Sequence, residues 1–424
     1  MPVETLTFGC RLNLVESEAM QARAEAAGLR DIAIVNSCAV TAEAVRQASQ
    51  AIRRLGREQP DRPVIVSGCA AQIEPARFAA MPEVAAVLGN AEKLEPENWR
   101  RLAASNSLRG GAVRAPEEKL QVGDILQARG AAPQRTRALA EHTRGFLQVQ
   151  NGCDHRCTFC VIPLGRGNAR SSTIEAVIAQ GRALVAEGAR EIVLTGVDLT
   201  SYGRERPGTP SLGALVRSLL AALPELPRLR LSSLDAVEID DELRDLVATE
   251  PRLMPHLHLS LQSGDDLILK RMKRRHGRDD AIRFCAEIRA LRPDIVFGAD
   301  LIAGFPTEDE AMFARSLDLV AECGLSFVHV FPYSARPGTP AARMPQLSGE
   351  VVSERAARLR VAASAAQQRH LAERIGRPLS VLTERGNTGR AEDFTLIRFA
   401  SDIAPGEILP VTSHAADGRA LLAA

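Results

Sequence analysis

Short continuous apolar runs alternate with amphipathic stretches along most of this chain. Leu6-Thr7-Phe8, Ile32-Ala33-Ile34-Val35 and Val64-Ile65-Val66 read as strands, and helical patterns over about 13–27 and 41–58 follow the first two. Apolar runs of this length between helices indicate a buried parallel sheet, with right-handed crossovers expected. From residue 145 a strand-then-helix unit repeats six times. Its strands are expected at 145–150, 191–195, 228–231, 256–261, 294–300 and 326–331, with helical patterns such as 173–187, 212–223, 279–291 and 309–323 between them. Six units make an incomplete eight-fold barrel, with chemistry expected at the carboxyl ends of the strands. A long Ala/Arg helical pattern, about 349–375, leads out of the barrel, and short β-like runs at 379–382, 394–399 and 407–411 follow it. The expected fold is α/β: an N-terminal open parallel βα domain over 1–105, a connection over 106–143, a partial TIM barrel over 144–370 and a small β-barrel-like domain over 376–424.

Composition narrows the setting. Hydrophobic residues at 45% and charged residues at 25% describe an ordinary soluble protein, and a formal net charge of +1 supplies no global basic field. Any nucleic-acid contact then depends on local patches. No apolar run approaches the roughly 18 residues that span a bilayer. The start, Met1-Pro2-Val3-Glu4-Thr5, lacks a basic region followed by an apolar core. A cytoplasmic protein with no membrane contact is expected. In a reducing compartment, eight cysteines are metal ligands or catalytic thiols before they are disulfides.

Six of the eight fall into two sets. Cys153, Cys157 and Cys160 form a CxxxCxxC run directly after the first barrel strand. Three thiolates so close in sequence hold three corners of an iron–sulfur cubane and leave one iron open. A zinc knuckle or buried thiols are the alternatives, although zinc sites usually take four protein ligands. Cys10, Cys38 and Cys69 each end an N-terminal strand, at intervals of 28 and 31 residues. Those intervals are close to one βα step, so adjacent strand ends bring the three together at the edge where open α/β sheets bind ligands. Small buried residues at strand ends are the competing reading. Cys285 and Cys323 lie in amphipathic helical patterns and read as core.

The spacing with Phe159 before the last cysteine resembles the radical S-adenosylmethionine enzymes. The whole chain resembles one branch of them, the methylthiotransferases. Thr7-Phe8-Gly9-Cys10-Arg11-Leu12-Asn13, Asn36-Ser37-Cys38-Ala39-Val40-Thr41 and Ser67-Gly68-Cys69-Ala70-Ala71-Gln72 match the N-terminal motifs. Gln150 through Pro163 with Arg166-Gly167, Leu261-Gln262-Ser263-Gly264 and Gly304-Phe305-Pro306-Thr307 match the radical loop and barrel. The resemblance implies two 4Fe-4S clusters, one on each cysteine set, with the first generating a radical from S-adenosylmethionine and the second supplying or relaying sulfur. One S-adenosylmethionine gives the methyl group and another the radical. Phe159, Gly196, Gln262, Ser263 and Asp300 are expected around the S-adenosylmethionine, and in the basic run 270–278 either Arg271 or a neighbour pairs its carboxylate or an RNA phosphate, or the run faces solvent.

Within the family the motifs look most like the branch acting on threonylcarbamoyladenosine, 3′ of the anticodon in tRNA. Isopentenyladenosine in tRNA and an aspartate of a ribosomal protein are the alternatives, and an iron–sulfur redox carrier or an RNA-binding protein would be a different class. The implied partners are a tRNA anticodon loop and an electron donor such as a flavodoxin or ferredoxin. The tail looks like the small β module known as TRAM, but from residue 376 it has five Arg and no Lys against six Asp plus Glu. Phe394, Phe399 and Arg398 are its candidates for stacking and pairing with RNA. Arg135, Arg137 and Arg144 at the connection read as RNA contacts or as solvated linker charges.

Overall fold

The structure, a computed structural model, describes residues 2–105, 108, 115–131, 134–135, 143–205 and 208–423. Five parallel strands form the N-terminal sheet in chain order: Glu4–Thr7, Ala33–Ser37, Val64–Gly68, Val84–Leu88 and Leu120–Gln121. Ala33–Ser37 and Val64–Gly68 are buried throughout, which is why they read as continuous apolar runs. On one face, the helix Ala42–Glu58 packs Val45, Ala48, Ile52 and Leu55 against Val35, Val64 and Val66. On the other, the helix Arg11–Ala26 packs Met20 and Ala24 with Ile34, Ile65 and Trp99.

That arrangement corrects the expected handedness. Both helices join a strand to its neighbour in the same direction across the sheet, yet they lie on opposite faces. The two crossovers therefore have opposite hand, and at most one is right-handed. Arg11–Ala26 carries the buried polar residues Asn13, Glu16 and Ser17, and the groups that satisfy them lie on its face of the sheet.

The stretch read as a connection is stitched into both sheets. Leu120–Gln121 adds the fifth parallel strand, and Gln134–Arg135 pairs antiparallel with the first barrel strand, Arg144–Gln148. Arg135 is committed to Glu187 at 2.7 Å. Arg137 lies outside the described residues.

The barrel runs Arg144–Gln148, Glu191–Thr195, Arg228–Leu231, His256–Gln262, Val296–Ala303 and Leu325–Pro332, all parallel. Its two halves meet through parallel bridges, Leu229 with Leu253 and Leu234 with Leu259. Leu147, Ile192 and Leu194 point outward into the core under the helices, together with Cys285 and Cys323. Phe146 and Val193 point inward and pack on Val15 of the helix Arg11–Ala26, so the N-terminal domain covers part of the barrel interior. No helix among the described residues is long and apolar enough to cross a membrane.

The tail is a six-stranded sheet ordered Ile408–Thr412, Pro378–Glu384, Thr388–Ala391, Leu396–Phe399, Leu421–Ala423 and Ala415–Ala416. Its two outer strands are separated by only two residues of chain, so the sheet curls toward a half-barrel. It caps the amino ends of the barrel strands, opposite the rim where chemistry is expected. Arg228 bonds Ser380, Arg230 bonds the carbonyls of Ala391 and Glu392, and Arg144 pairs with Glu384 at 2.9 Å. Phe394 plugs this end. The guanidinium carbons of Arg390, Arg230, Arg144 and Arg11 lie 4.6, 5.2, 5.5 and 5.7 Å from its ring, which stacks on His256 at 5.0 Å. Phe399 packs against the tail's own core, and Arg398 lies 3.4 Å from Asp417. The expected stacking of RNA on Phe394 is therefore corrected, since its ring is already occupied by protein; Phe399 is half-buried.

Candidate active site

The CxxxCxxC loop leaves the first barrel strand at the carboxyl-end rim, and each of its sulfurs receives one donor. The His155 N–H points at Cys153 Sγ at 3.4 Å, the Ile162 N–H at Cys160 Sγ at 3.4 Å, and the Arg274 guanidinium at Cys157 Sγ at 3.6 Å. Donors aimed at sulfur favour the thiolate, the form that ligates metal. Burial opposes them: with the Asp198 carboxylate 3.6 Å away and then the neighbouring cysteines it raises the Cys153 thiol, and with Cys157 it pushes Cys160 up to about 12. Loading a metal here displaces protons from crowded thiols. Beside Cys153, His155 Nε2 faces the carboxylates of Asp198 at 2.9 Å and Glu238 at 3.1 Å, and donating to them pushes His155 up to about 10, making it a cation at neutral pH.

The N-terminal set forms a second site against the first. Burial and then the nearby Cys69 and Cys10 push Cys38 up to about 11, while the Val40 N–H donates to its sulfur at 3.5 Å. Asn90 Nδ2 lies 3.8 Å from Cys69 Sγ and bonds the Gly165 carbonyl at 2.5 Å. Gly165 belongs to the short helix Ile162–Arg166 that begins right after Cys160. A Cβ on Gly165 would sit 3.2 Å from that of Cys69, so only one helical turn separates the two cysteine sets.

That turn is pinned by a buried polar knot. Arg166 reaches across the domains to Glu16 Oε1 at 2.7 Å and Asn13 Oδ1 at 2.6 Å, and Lys93 meets Glu16 Oε2 at 2.7 Å. Burial alone would raise Glu16, but Arg166 and Lys93 hold its carboxyl down at about 2. Asn13 also donates to the carbonyls of Phe8 and Ser37, tying together the loops that carry Cys10 and Cys38.

The other expected residues divide. Phe159, Gln262 and Asp300 line one cavity of about 170 Å³ with Ile302, Phe331 and Tyr333, and Val40 and Thr41 reach it from the N-terminal domain. Gln262 ends its strand with φ +68°, a left-handed conformation typical of strained functional positions. Gly196 lies against Gln150, whose Oε1 accepts the N–H groups of Val197 and Asp198. Ser263 is outside the cavity lining; its hydroxyl accepts the Asp265 N–H and meets Ser316. Arg271 is also outside that lining. Its carbonyl accepts the Thr158 hydroxyl at 2.7 Å, and its guanidinium lies 3.4 Å from the Thr307 carbonyl.

Within the basic run 270–278 sequence reasoning singled out Arg271, whereas it is Arg274 that faces a cluster cysteine. The helix Asp266–Met272 ends on Lys273 in a left-handed cap at φ +62°, and the chain then turns Arg274 toward Cys157 and Asp235. Sequence reasoning missed Glu16 and Lys93, whose partners are far away in sequence.

Comparison with known proteins fits this geometry. Residues 147–320 match the Radical SAM superfamily and residues 3–89 the uncharacterized protein family UPF0004. The chain is 45% identical over 405 residues to the threonylcarbamoyladenosine tRNA methylthiotransferase MtaB of Rickettsia prowazekii, covering 96% of this chain and 93% of that protein. It is 36% identical over 397 residues to a tRNA-2-methylthio-N(6)-dimethylallyladenosine synthase of Cereibacter sphaeroides, covering 89% and 86%. The fold also resembles the radical S-adenosylmethionine methyltransferase TsrM of Kitasatospora setae, with a TM-score of 0.52 and 19% identity over 78% of this chain and 69% of that one. With identity sustained across both cysteine-bearing domains, this chain belongs to the radical S-adenosylmethionine methylthiotransferase family.

Proposed function

We propose that this protein places a methylthio group on C2 of threonylcarbamoyladenosine beside the tRNA anticodon. The carrying observation is the juxtaposition of two three-thiol sets, one on each domain, separated by the turn Ile162–Arg166. The C2–H of adenine has no acidity that a general base can use at neutral pH, which favours radical over acid–base chemistry. Each set offers three thiols with donors aimed at sulfur, which fits three corners of a 4Fe-4S cluster. When bound at Cys153, Cys157 and Cys160, a cluster supplies the electron that cleaves S-adenosylmethionine to an adenosyl radical. Cys10, Cys38 and Cys69 would hold a second cluster, which would supply or relay the sulfur. Phe159, Gln262 and Ile302 wall the cavity proposed to take the adenosyl group. Gly196, Ser263 and Arg271 keep supporting roles by holding the loops around it. The electron donor is of flavodoxin or ferredoxin type, and the tRNA substrate places the protein in the cytoplasm. The tail, a TRAM-like module, contributes to tRNA binding through its outer face rather than through Phe394.

The 45% identity to a threonylcarbamoyladenosine enzyme supports this substrate over isopentenyladenosine, since the dimethylallyladenosine synthase shares 36%. Mass spectrometry of tRNA nucleosides from cells lacking and re-expressing the protein tests it. The methylthio form of threonylcarbamoyladenosine should disappear and return. If it is unchanged while methylthio-isopentenyladenosine responds, the substrate assignment is wrong.

Arg274 gives a narrower prediction. Arg274→Gln removes the cation facing Cys157 and leaves Asp235 without its 2.5 Å partner. Iron retention and 5′-deoxyadenosine formation should fall by roughly 10–100-fold, the usual effect of losing a group that orients a metal ligand. Arg271→Gln should do much less, because it is the main-chain carbonyl of Arg271 that holds Thr158. Equal losses in the two variants would reject this placement of charge.

A further inference from the structure

Three neighbouring barrel strands bring His258, Asp300 and His329 together beside the cavity. Asp300 and His329 are register partners across adjacent strands. His258 Nε2 and His329 Nδ1 lie 2.8 and 3.2 Å from the same oxygen, Asp300 Oδ1, and the two imidazole rings are 4.7 Å apart. The candidate ligand atoms all fall within 4.8 Å of one another. The seat for His258 is built by the backbone: a Cβ on Gly298 would come 2.6 Å from His258 Nδ1. Exposure rises outward, from 13% for the His258 side chain through 23% for Asp300 to 65% for His329, so the group opens toward solvent on one side.

Ligand atoms around a first-row ion, with bonds of about 2.0–2.2 Å, are spaced about 3 Å apart, and the two contacts to Asp300 Oδ1, 2.8 and 3.2 Å, match that spacing. Two imidazoles and one carboxylate suit such an ion and leave coordination positions free for substrate oxygens. The cavity supplies a reason for one. Asp300 lines the cavity and faces His258 and His329 through one carboxylate oxygen. No lysine or arginine is among the described residues lining the cavity. A substrate carboxylate entering there would meet Asp300 with no side-chain cation in the lining to balance it.

We propose that His258, Asp300 and His329 form a divalent-cation site at the open side of the barrel, whose ion receives the carboxylate and hydroxyl of the amino-acid substituent on the modified adenosine. The cation site stands on the geometry alone; its use for that substituent rests on the threonylcarbamoyladenosine reading.

The test titrates Mn²⁺ alone into the cluster-loaded full chain and follows the free ion by electron paramagnetic resonance. Wild type should take up one ion per chain at this site. Asp300→Asn and His329→Asn should each weaken uptake by roughly tenfold or more. The His329→Asn amide keeps a donor toward Asp300, and unchanged thermal unfolding with unchanged iron content separates a lost ligand from a lost fold. No uptake by wild type at millimolar Mn²⁺, or equal uptake by all three proteins, overturns the site and leaves a hydrogen-bonded triad. If the site binds the ion, KM for threonylcarbamoyladenosine tRNA should rise roughly tenfold in His329→Asn. An unchanged KM overturns the substrate contact. A product other than the methylthio form of threonylcarbamoyladenosine would instead overturn the substrate reading, and the Mn²⁺ titration would still decide the cation site.

Discussion

Cys157→Ala should stop 5′-deoxyadenosine formation, while Cys38→Ala should let it continue and stop sulfur insertion. The two sets sit on different domains and hold their sulfurs with different donors: Arg274 faces Cys157, and the Val40 N–H faces Cys38. Each variant should lose about four of the roughly eight irons expected for two clusters. Cys38 is the better probe of the N-terminal set. Cys69 abuts Gly165, so its replacement would also disturb the turn that follows Cys160. Liquid chromatography of 5′-deoxyadenosine and mass spectrometry of the tRNA product read the two activities separately. Comparable loss of cleavage in both variants would refute the division of labour.

The closeness of the two sets adds a physical reason for keeping them on separate domains that pack tightly. A carbon radical formed near one set reaches sulfur held by the other only if the gap is short and fixed. One turn of helix fixes it here, and Asn90 spans from Cys69 to the far side of that turn. Val40 and Thr41, two and three residues after Cys38, line the cavity that Phe159 also lines. The cavity is thus shared between the domains, and neither domain alone presents it.

Much of this was legible in the chain because buried parallel strands announce themselves. Ile32–Val35 and Val64–Val66 are apolar on both faces, and cysteines at their ends must share a sheet edge. The six barrel strands and the rim position of Cys153–Cys160 followed from the same regularity. Features made by distant partners were not legible. Phe394 looked available to RNA because its arginines, Arg11, Arg144 and Arg230, are scattered over the chain and converge only when the tail caps the barrel. Arg274 was hidden by a left-handed cap on a lysine, a conformation that residue type does not signal. The opposite hand of the first two crossovers is invisible to periodicity, which shows that a helix is buried on one side and not which face of the sheet it covers. His258, Asp300 and His329 are spread over three strands, and only the register of those strands makes them neighbours.

Arg166→Met should cost the largest amount of stability of any single change in the interface between the domains, roughly 3–5 kcal/mol, because it strips a buried carboxylate of one of its two cations. Glu16 is fully buried, Arg166 supplies two of its three short contacts, and Asn13 and Asn151 lose a donor at the same time. The knot sets two basic groups against one carboxylate and faces sulfur: burial opposes the charge on both, yet Cys69, Glu16 and Cys10 hold Arg166 well above its ordinary value, while burial keeps Lys93 below its own despite Glu16 and Cys69. The variant should therefore lose iron from the N-terminal set as well as stability. Denaturant unfolding gives the first effect and iron content of Arg166→Met in a Cys157→Ala background gives the second. A triple replacement, Glu16→Leu with Lys93→Met and Arg166→Met, separates the two roles. Removing every charge together should recover much of the lost stability, since no buried ion is left unpaired. It should not recover the iron, because no cation then faces Cys69. Recovery of iron along with stability would mean that the knot serves only to join the domains and has no electrostatic part in holding the cluster.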